Sequence, residues 1–246
     1  MNISVVSIHH DCFILEFAKR TVLFDYPAPE HLPPEAAAAA RTLLRGKDVL
    51  AMISHSHPDH FDPAIGDALA ETASARFVVS DDVVDMFPDA LPDDPGRLCV
   101  MEPDQEARFA GLRIRTLESD DLGVAYMAEG DGLRFHFGGD LALWDWEGLP
   151  GAARAVARSR YETALSAIAA FKPDLAFANA DPRLASLAGG PLFLATVKPR
   201  VFVPMHAFGK PGDILREKAR LTIPETETFF YAAPGDHMEF TLMPRP

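Results

Sequence analysis

Short apolar runs alternate with helix-forming segments along the first part of the chain. Runs of β-branched and apolar residues separated by turns predict strands. These strands are Ile3–Ile8, Phe13–Phe17, Thr21–Phe24, Val49–Ser54, Phe77–Ser80 and Leu98–Met101. An alanine-rich segment, Glu35 to Arg45, follows two prolines and stops at Gly46, which predicts a helix. A second helix is predicted over Ala64–Ser74, after Asp62 as N-cap and Pro63, and a third opening at Asp81.

The second part of the chain begins with the pattern of an antiparallel meander. Its predicted strands are Ala107–Phe109, Leu112–Leu117, Gly123–Ala128 and Leu133–Phe137. The turn Asp131-Gly132 is a strong hairpin signal. Further helices are predicted over Ala152–Phe171, Leu192–Lys198 and Asp213–Arg220, and strands over Asp174–Ala178, Arg200–Pro204, Thr228–Tyr231 and Met238–Leu242. The elements form two comparable halves, about 1–105 and 106–246, without a low-complexity linker, so we expect a single domain over 1–246.

Composition narrows the class of protein. The 246 residues are 48% hydrophobic and 24% charged, which is ordinary for a globular chain with a full core. A formal net charge of -13 and the lack of a basic stripe oppose binding to a polyanion, so we expect no nucleic-acid partner. Two cysteines are too few for a disulfide framework. With no membrane-spanning apolar run and no basic leader before Ile3, we expect a cytoplasmic protein without a membrane partner.

Four metal-ligating side chains lie close together between a predicted strand and a predicted helix. They are His55, His57, Asp59 and His60. Alternate histidines in a tight loop can direct two imidazoles at one point, and the aspartate and third histidine follow closely. The alternative is a polar loop whose imidazoles bind backbone groups. Three crowded histidines have no obvious structural task, however, so the stretch predicts a metal site that activates water for hydrolysis.

Two distant strand ends add further ligands. Gly138, Gly139 and Asp140 end a hairpin strand, where the backbone can approach closely and a carboxylate can bridge cations. His206 ends a buried strand. Each feature alone is equally compatible with a turn aspartate or a packed core histidine. In this order along the chain, together with the histidine cluster, they strengthen the metal-site hypothesis.

These pieces together resemble the metallo-β-lactamase superfamily. The matching residues are His55-x-His57-x-Asp59-His60, Gly139-Asp140, His206 and Phe24-Asp25-Tyr26. The resemblance implies an α/β fold, a four-layer αβ/βα sandwich of two mixed sheets flanked by helices, with the metals at one edge. It also implies the ligands: His55 and His57 for the first metal, Asp59, His60 and His206 for the second, Asp140 as the bridge, and Asp25 orienting the histidine loop.

A closer similarity is to uncharacterised hydrolases near the ascorbate-6-phosphate lactonase-like branch of that superfamily. It rests on residues 119–126, Gly139-Asp140-Leu141 with Trp144 and Trp146, residues 181–184, and Pro204-Met205-His206.

The chain departs from the superfamily at one ligand position. Most members supply a third histidine to the first metal from the strand before the bridging aspartate, whereas here the region offers only Glu118, Ser119, Asp120 and Asp121. We expect Asp121, with Asp120 as second choice, to replace that histidine. A carboxylate there shifts the preference from Zn²⁺ toward harder ions such as Mn²⁺ or Fe²⁺. Alternatively, both aspartates are solvated turn residues and the first site is weak or empty.

Other residues are candidates for contact with the substrate. Trp144 could wall the pocket or simply pack. Arg183 could bind a carboxylate or phosphate bidentately, although a salt bridge to Asp181 is an equal alternative. His10 could approach the site, but a surface or core role is favoured. Asp59 and Asp140 are the catalytic candidates, as groups that orient water or accept a proton.

The leading hypothesis is a metal-dependent hydrolase that acts on a small-molecule lactone, ester or phosphorylated metabolite. One or two Zn²⁺ ions, or Mn²⁺ or Fe²⁺, would supply a water whose pKa falls to about 7. A phosphodiesterase or nuclease is an alternative, but it would require a basic surface along which the substrate binds. A non-catalytic or redox metal protein is the other. The sequence determines neither the substrate nor the oligomeric state.

Overall fold

Two seven-stranded β-sheets form the centre of the computed structural model, which describes residues 1–242. The strands are β1 (Asn2–His9), β2 (Cys12–Phe17), β3 (Arg20–Phe24), β4 (Asp48–Ile53), β5 (Ser74–Ser80), β6 (Leu98–Met101), β7 (Glu106–Phe109), β8 (Leu112–Glu118), β9 (Val124–Gly130), β10 (Leu133–Phe137), β11 (Leu175–Asn179), β12 (Val201–Met205), β13 (Glu227–Thr228) and β14 (His237–Thr241).

Both sheets are mixed. The first has the order β14-β1-β2-β3-β4-β5-β6 and the second the order β13-β12-β11-β10-β9-β8-β7. Strands β14 to β3 pair antiparallel and β3 to β6 pair parallel. In the second sheet, β7 to β10 are antiparallel and β10 to β13 parallel. The last strand therefore returns to the first sheet, where Thr241 pairs with Asn2.

Helices cover the outer faces of the two sheets. They are α1 (Pro34–Leu44), α2 (Ile65–Ala68), α3 (Asp81–Met86), α4 (Gly151–Phe171), α5 (Gly190–Val197) and α6 (Pro211–Arg216), with 3₁₀ turns at Leu187–Gly189 and Lys218–Arg220. Among the described residues, none of the helices is both long and apolar enough to cross a membrane.

Successive apolar side chains of each strand point to opposite faces of the sheet, and this alternation creates three apolar layers. In β3, Val22 and Phe24 face the core between the sheets, while Leu23 faces the helical side. The central layer is rich in aromatic rings, and Phe24 stacks on Phe137 of the opposite sheet at 4.5 Å. The two outer layers hold α1 to α3 against the first sheet and α4 and α5 against the second. The predicted four-layer αβ/βα sandwich is confirmed.

Most element predictions agree with the structure, but the helix over Ala64–Ser74 is wrong in length. The Asp62 carboxylate does accept a hydrogen bond from Ala64 N–H at 2.9 Å, as the capping signal predicts. Helix α2 nevertheless ends at Ala68, because residues 71–73 pair through their backbone with Gly46 and Lys47 before β5 begins. The predicted strand Thr228–Tyr231 is likewise reduced to Glu227–Thr228, and the predicted helix Asp213–Arg220 is divided into α6 and a 3₁₀ turn.

Candidate metal centre

The loops at the carboxyl ends of six strands meet at one edge of the sandwich. The histidine cluster follows β4, and chemically active side chains also follow the other five strands. These are His10 and Asp11 after β1, Asp25 after β3, Asp140 after β10, Asp181 after β11 and His206 after β12. Ligand sites in α/β proteins form at this end of the strands. The structure thus gathers residues that are almost 200 positions apart in the chain.

A buried group of ligands, called the inner position here, consists of His60, Asp140 and His206. Asp140 Oδ1 lies 3.4 Å from His60 Nε2 and 3.3 Å from His206 Nε2. Two ligands that bind one ion tetrahedrally at about 2.1 Å lie roughly 3.4 Å apart, so these spacings fit a bound metal. Both His60 Nε2 and Asp140 Oδ1 are buried without a hydrogen-bond partner. The donor set therefore fits a divalent cation.

A carboxylate orients each histidine of the inner position. His60 Nδ1 lies 2.7 Å from Asp25 Oδ2, and His206 Nδ1 lies 3.1 Å from Asp181 Oδ2. Because each Nδ1–H donates to a carboxylate, each Nε2 keeps its lone pair for a metal. Asp25 also accepts hydrogen bonds from the N–H and Oγ of Ser54, contacts that are compatible with the orienting role implied by the resemblance. Asp181 was considered only as a motif residue and as a partner for Arg183, so its contact with His206 is new information from the structure.

Of the remaining candidate ligands, His57 and Asp121 form a more exposed group, called the outer position here. Asp59 lies beside the inner position, with its Oδ2 3.9 Å from His60 Nε2. His57 Nδ1 lies 3.8 Å from Asp121 Oδ2, and their side chains are 43% and 51% exposed. His55 is buried between the two positions, with its Nε2 3.1 Å from His57 Nδ1 and 3.7 Å from Asp140 Oδ2. Its Nδ1 bonds to Ser54 Oγ, which in turn donates to Asp25. Asp140 thus contacts both positions.

Asp121, rather than Asp120, faces the histidine cluster. Asp120 instead lines a separate cavity with Glu118 and Arg160, against α4. Burial raises the pKa of Asp120 to about 6, with Glu118 adding to the shift and Arg160 opposing it. The structure therefore places the first-choice replacement for the absent histidine within reach of His57, and leaves the second choice outside the cluster.

Two glycines let the histidine loop approach the second sheet closely. Gly139 has a φ of +48°, and a Cβ there would lie 2.5 Å from Ser54 Cβ. Gly123 has a φ of +67°, and a Cβ there would lie 2.2 Å from Ser54 O. Side chains at these positions would push the loop away from Asp140 and Asp121. The sequence prediction that backbone approaches closely at Gly139 agrees with this geometry.

His10 and Asp11 belong to the same edge of the molecule and are buried there. His10 packs against His206 with ring centroids 4.5 Å apart, and its Nε2 lies 3.5 Å from Asp59 Oδ2. The side chain of Asp11 is fully buried, and neither carboxylate oxygen has a hydrogen-bond partner. Sequence reasoning favoured a role elsewhere for His10 and did not consider Asp11. The available signal was the polar run His9-His10-Asp11 between two apolar strands.

Opposite charges compensate one another inside the cluster. Burial opposes protonation of His206, but the carboxylates of Asp140 and Asp181 outweigh it and raise its pKa to about 9. Burial alone would raise the pKa of Asp59, yet His10 and His60 lower it. Protons on imidazoles thus balance the carboxylates when no metal is bound. A metal would replace those protons, so binding should release protons to solvent.

Aromatic and cationic side chains surround the metal-binding edge. Trp144 donates from Nε1 to Asp140 O at 3.0 Å, and its ring lies 5.1 Å from that of His206. Arg183 Nε lies 2.8 Å from Asp181 Oδ2, so the salt bridge that the sequence allows is present. The Arg183 guanidinium also lies 4.1 Å from the centre of the Phe208 ring, and half of its side chain is exposed. Trp144 and Arg183 are therefore placed beside the metal ligands.

A cavity of about 440 Å³ adjoins this edge. Its walls include His10, Asp59 and Phe208 on the metal side, and His9 and His31 farther out. The remaining two histidines of the chain lie elsewhere. His136 faces α5, where its ring stacks on Phe193 and its Nδ1 contacts Tyr126 O, and His237 lies in β14.

Comparisons with known proteins agree with the architecture. No protein-family model and no curated protein matches the chain. Among solved structures, Igni18, a metallo hydrolase from the archaeon Ignicoccus hospitalis, is 18% identical with a TM-score of 0.65, and the match covers 99% of this chain and 100% of that one. The metallo-β-lactamase fold protein YhfI from Bacillus subtilis is 14% identical with a TM-score of 0.61, covering 97% and 99%.

A third similar structure is that of a diiron enzyme. CmlA, a diiron β-hydroxylase from Streptomyces venezuelae, is 11% identical with a TM-score of 0.54, and the match covers 98% of this chain and 54% of that one. Similarity at these identities concerns architecture and leaves the reaction open. The sequence resemblance is confirmed at that level: the chain has the metallo-β-lactamase fold.

Proposed function

We propose that the protein is a metal-dependent hydrolase of a small molecule. The observation that carries the proposal is the convergence of His60, Asp140 and His206 in a buried site where His60 Nε2 and Asp140 Oδ1 have no other partner. Burying such groups unpaired is costly, and a structural role would leave them unsatisfied. The carboxylates behind the two histidines hold them ready for a metal.

The protein's own residues would position the reactants around the metal ions. A bound divalent metal supplies Lewis acidity and lowers the pKa of water toward 7. Asp59 has a partly exposed side chain at the cavity wall, whereas Asp140 is nearly buried. Asp59 is therefore placed to orient the attacking water, and Asp140 to hold the two metal positions together. Trp144 limits access of bulk water on the side of His206.

We further propose that the substrate is a lactone, an ester or a phosphorylated metabolite, and that it carries an anionic group. Arg183 supports this proposal because its guanidinium rests on Phe208 and remains half exposed beside the metal ligands. Planar guanidinium groups bind carboxylate and phosphate well. Asp181 already neutralises part of that charge, so we expect recognition of a single anionic group rather than a polyanion.

The test is a hydrolysis panel on protein loaded separately with Zn²⁺, Mn²⁺ or Fe²⁺. The panel contains a chromogenic ester, a lactone, a phosphomonoester and a phosphodiester, each assayed at low and high salt. Metal-dependent turnover of the ester, the lactone or the phosphomonoester, lost in Asp140→Ala and His57→Ala, supports the proposal. Turnover of the phosphodiester alone, weakened by salt, would instead identify a phosphodiesterase. Metal binding without turnover of any member would overturn the hydrolase proposal.

A redox metal protein is the second candidate, and the placement of Asp121 favours it. A carboxylate beside His57, in place of an imidazole, suits iron or manganese better than zinc. The Fe²⁺-loaded protein should therefore be exposed to oxygen and followed by absorption spectroscopy. Rapid oxidation that depends on Asp121, without hydrolysis of the panel, would favour the redox role.

A further inference from the structure

Asp11 is a buried carboxylate that accepts no hydrogen bond, and its nearest charged neighbour is His10, whose Nδ1 lies 3.7 Å from Asp11 Oδ1. Asp11 lies in the turn between β1 and β2, and its side chain is fully buried. Neither Oδ1 nor Oδ2 accepts a hydrogen bond. A carboxylate buried in this way is destabilising unless a counter-charge or a metal ion compensates it. The position therefore requires a reason other than stability of the fold.

Three imidazoles surround Asp11. One nitrogen from each of His10, His60 and His206 and a carboxylate oxygen of Asp11 all lie within 4.8 Å of one another. This group shares His60 and His206 with the inner position. Asp11 therefore lies on the side of the inner position that faces β1.

The hydrogen bonds of these histidines leave no donor for Asp11 once a metal is bound. His60 Nδ1 donates to Asp25 and His206 Nδ1 donates to Asp181, so each Nε2 offers only a lone pair. Lone pairs of two imidazoles and of a carboxylate repel one another. A cation among them is the group that satisfies all three.

His10 has a different role from that of Asp11. Its Nδ1 accepts a hydrogen bond from Phe208 N–H at 3.3 Å, so in the neutral ring the proton is on Nε2. That Nε2–H points toward Asp59 Oδ2 and cannot bind a metal. His10 is a positioning residue for Asp59, which leaves Asp11 as the added ligand.

We propose that Asp11 is an additional carboxylate ligand of the metal at the inner position. The inference rests on the proposed metal-dependent function. The addition of Asp11 raises the number of candidate protein ligands of that metal to five: Asp11, Asp59, His60, Asp140 and His206. Five ligands exceed the four that Zn²⁺ usually accepts, and three of them are carboxylates, which suit Mn²⁺ or Fe²⁺. Asp11 thus directs the inner position toward a harder metal than zinc.

The experiment compares metal binding by metal-free wild-type protein and Asp11→Asn. Trp144 lies next to His206, so its fluorescence reports occupation of the inner position. Mn²⁺ and Zn²⁺ are titrated separately, and bound metal is counted by mass spectrometry. We expect Asp11→Asn to weaken Mn²⁺ binding by about 10-fold to 100-fold and Zn²⁺ binding by less. The metal-free variant should melt close to the wild-type temperature, because Asp11 accepts no hydrogen bond that the amide would lose.

Asp174→Asn is the matched control, because Asp174 is also a buried carboxylate but precedes β11 at the opposite end of the strand. It should leave both metal affinities unchanged. Equal Mn²⁺ affinity in Asp11→Asn and wild type, with an unchanged preference between Mn²⁺ and Zn²⁺, would overturn the assignment of Asp11 alone. If wild-type protein binds no metal, the proposed function fails as well. Should Asp11→Asn not fold, Asp11→Glu serves, and retained Mn²⁺ selectivity there supports the assignment.

Discussion

The inner and outer positions of the metal centre are built in different ways. At the inner position, His60, Asp140 and His206 are buried, and carboxylates hold both histidines from behind. At the outer position, His57 and Asp121 are about half exposed and lie 3.8 Å apart. The inner position is thus organised by the fold, whereas the side chains of the outer position would be ordered only when a metal ion is bound.

This difference predicts that the two positions bind metal ions with different affinities. A preorganised site binds its ion without ordering side chains, and mutations behind its ligands reduce affinity. An exposed pair is screened by water and contributes little free energy by itself. We therefore expect one metal ion to be retained through purification and a second to exchange with solvent.

Asp140→Ala should have the largest effect, because Asp140 contacts ligands of both positions. Loss of the shared carboxylate should reduce hydrolysis by more than about 100-fold, beyond the range expected for removing a group behind a ligand. Bound metal, counted by mass spectrometry, should fall at both positions. Retention of two ions with normal turnover would show that Asp140 does not join the positions.

Asp181→Asn and Asp25→Asn should each weaken metal binding at the inner position by about 10-fold to 100-fold. An amide can keep a contact with Nδ1, but it no longer supplies the charge that makes the imidazole a strong ligand. Isothermal titration of metal-free protein measures the affinity, and Asp174→Asn is the control remote from the histidines, because Asp174 precedes β11 at the opposite end of that strand. An effect confined to the weaker, exchangeable ion would contradict our assignment of these carboxylates.

Asp121→Ala should weaken binding of the exchangeable ion and leave the tightly held ion unchanged, because Asp121 is half exposed and lies at the outer position beside His57. Asp121→His should restore an imidazole at the outer position and increase its preference for Zn²⁺ over Mn²⁺. Competition between the two metals, read by mass spectrometry, tests both variants. A loss of the tightly held ion in Asp121→Ala would mean that the two positions are not independent.

Asp120→Asn should have the smallest effect, on stability rather than on metal binding. Burial raises the pKa of Asp120 in the folded protein to about 6, whereas the unfolded chain has a pKa of about 4. The folded state therefore binds this proton more tightly, so the contribution of Asp120 to stability is full below about pH 4 and is lost as the pH rises through 6.

The size of that loss should stay below about 1 kcal/mol, since Asp120 is only half-buried and solvent screens it. Urea unfolding of metal-free wild type and Asp120→Asn at several pH values measures it as the difference between the two curves. Identical pH dependence in both proteins would refute the assignment. A change in metal affinity in Asp120→Asn would show that Asp120, not Asp121, serves the outer position.

The sequence predicts most strands and helices well because strand alternation and helix punctuation are local signals, whereas the four-layer arrangement was implied by the resemblance. The largest error is the length of the helix predicted over Ala64–Ser74. It arises because Gly46 and Lys47 form backbone hydrogen bonds with residues 71–73, and no local sequence pattern shows such contacts. The ligand predictions depend on strand ends: His60 follows β4 of the first sheet, and His206 follows β12 of the second. Local spacing points to the histidine cluster, whereas the resemblance was needed to assign His206 to the same site.

The roles that sequence reasoning missed are those that depend on the depth and orientation of a side chain. Asp11 is one of many aspartates in the chain, and only its burial without a hydrogen bond distinguishes it. His10 has two possible tautomers, and the Phe208 N–H selects between them from a distant loop. Asp181 is ambiguous in sequence because it contacts both Arg183 and His206. Side-chain direction in three dimensions carries this information.

The pairing of Asn2 with Thr241 also has a consequence for how the protein is made. During synthesis, β1 has no neighbour on one side until residues 237–241 have left the ribosome. Contacts between such distant residues form slowly, because the intervening loop must be closed first. The turn that holds His10 and Asp11 follows β1 directly. Metal loading at the inner position should therefore be one of the last events in maturation, after translation has reached the final strand.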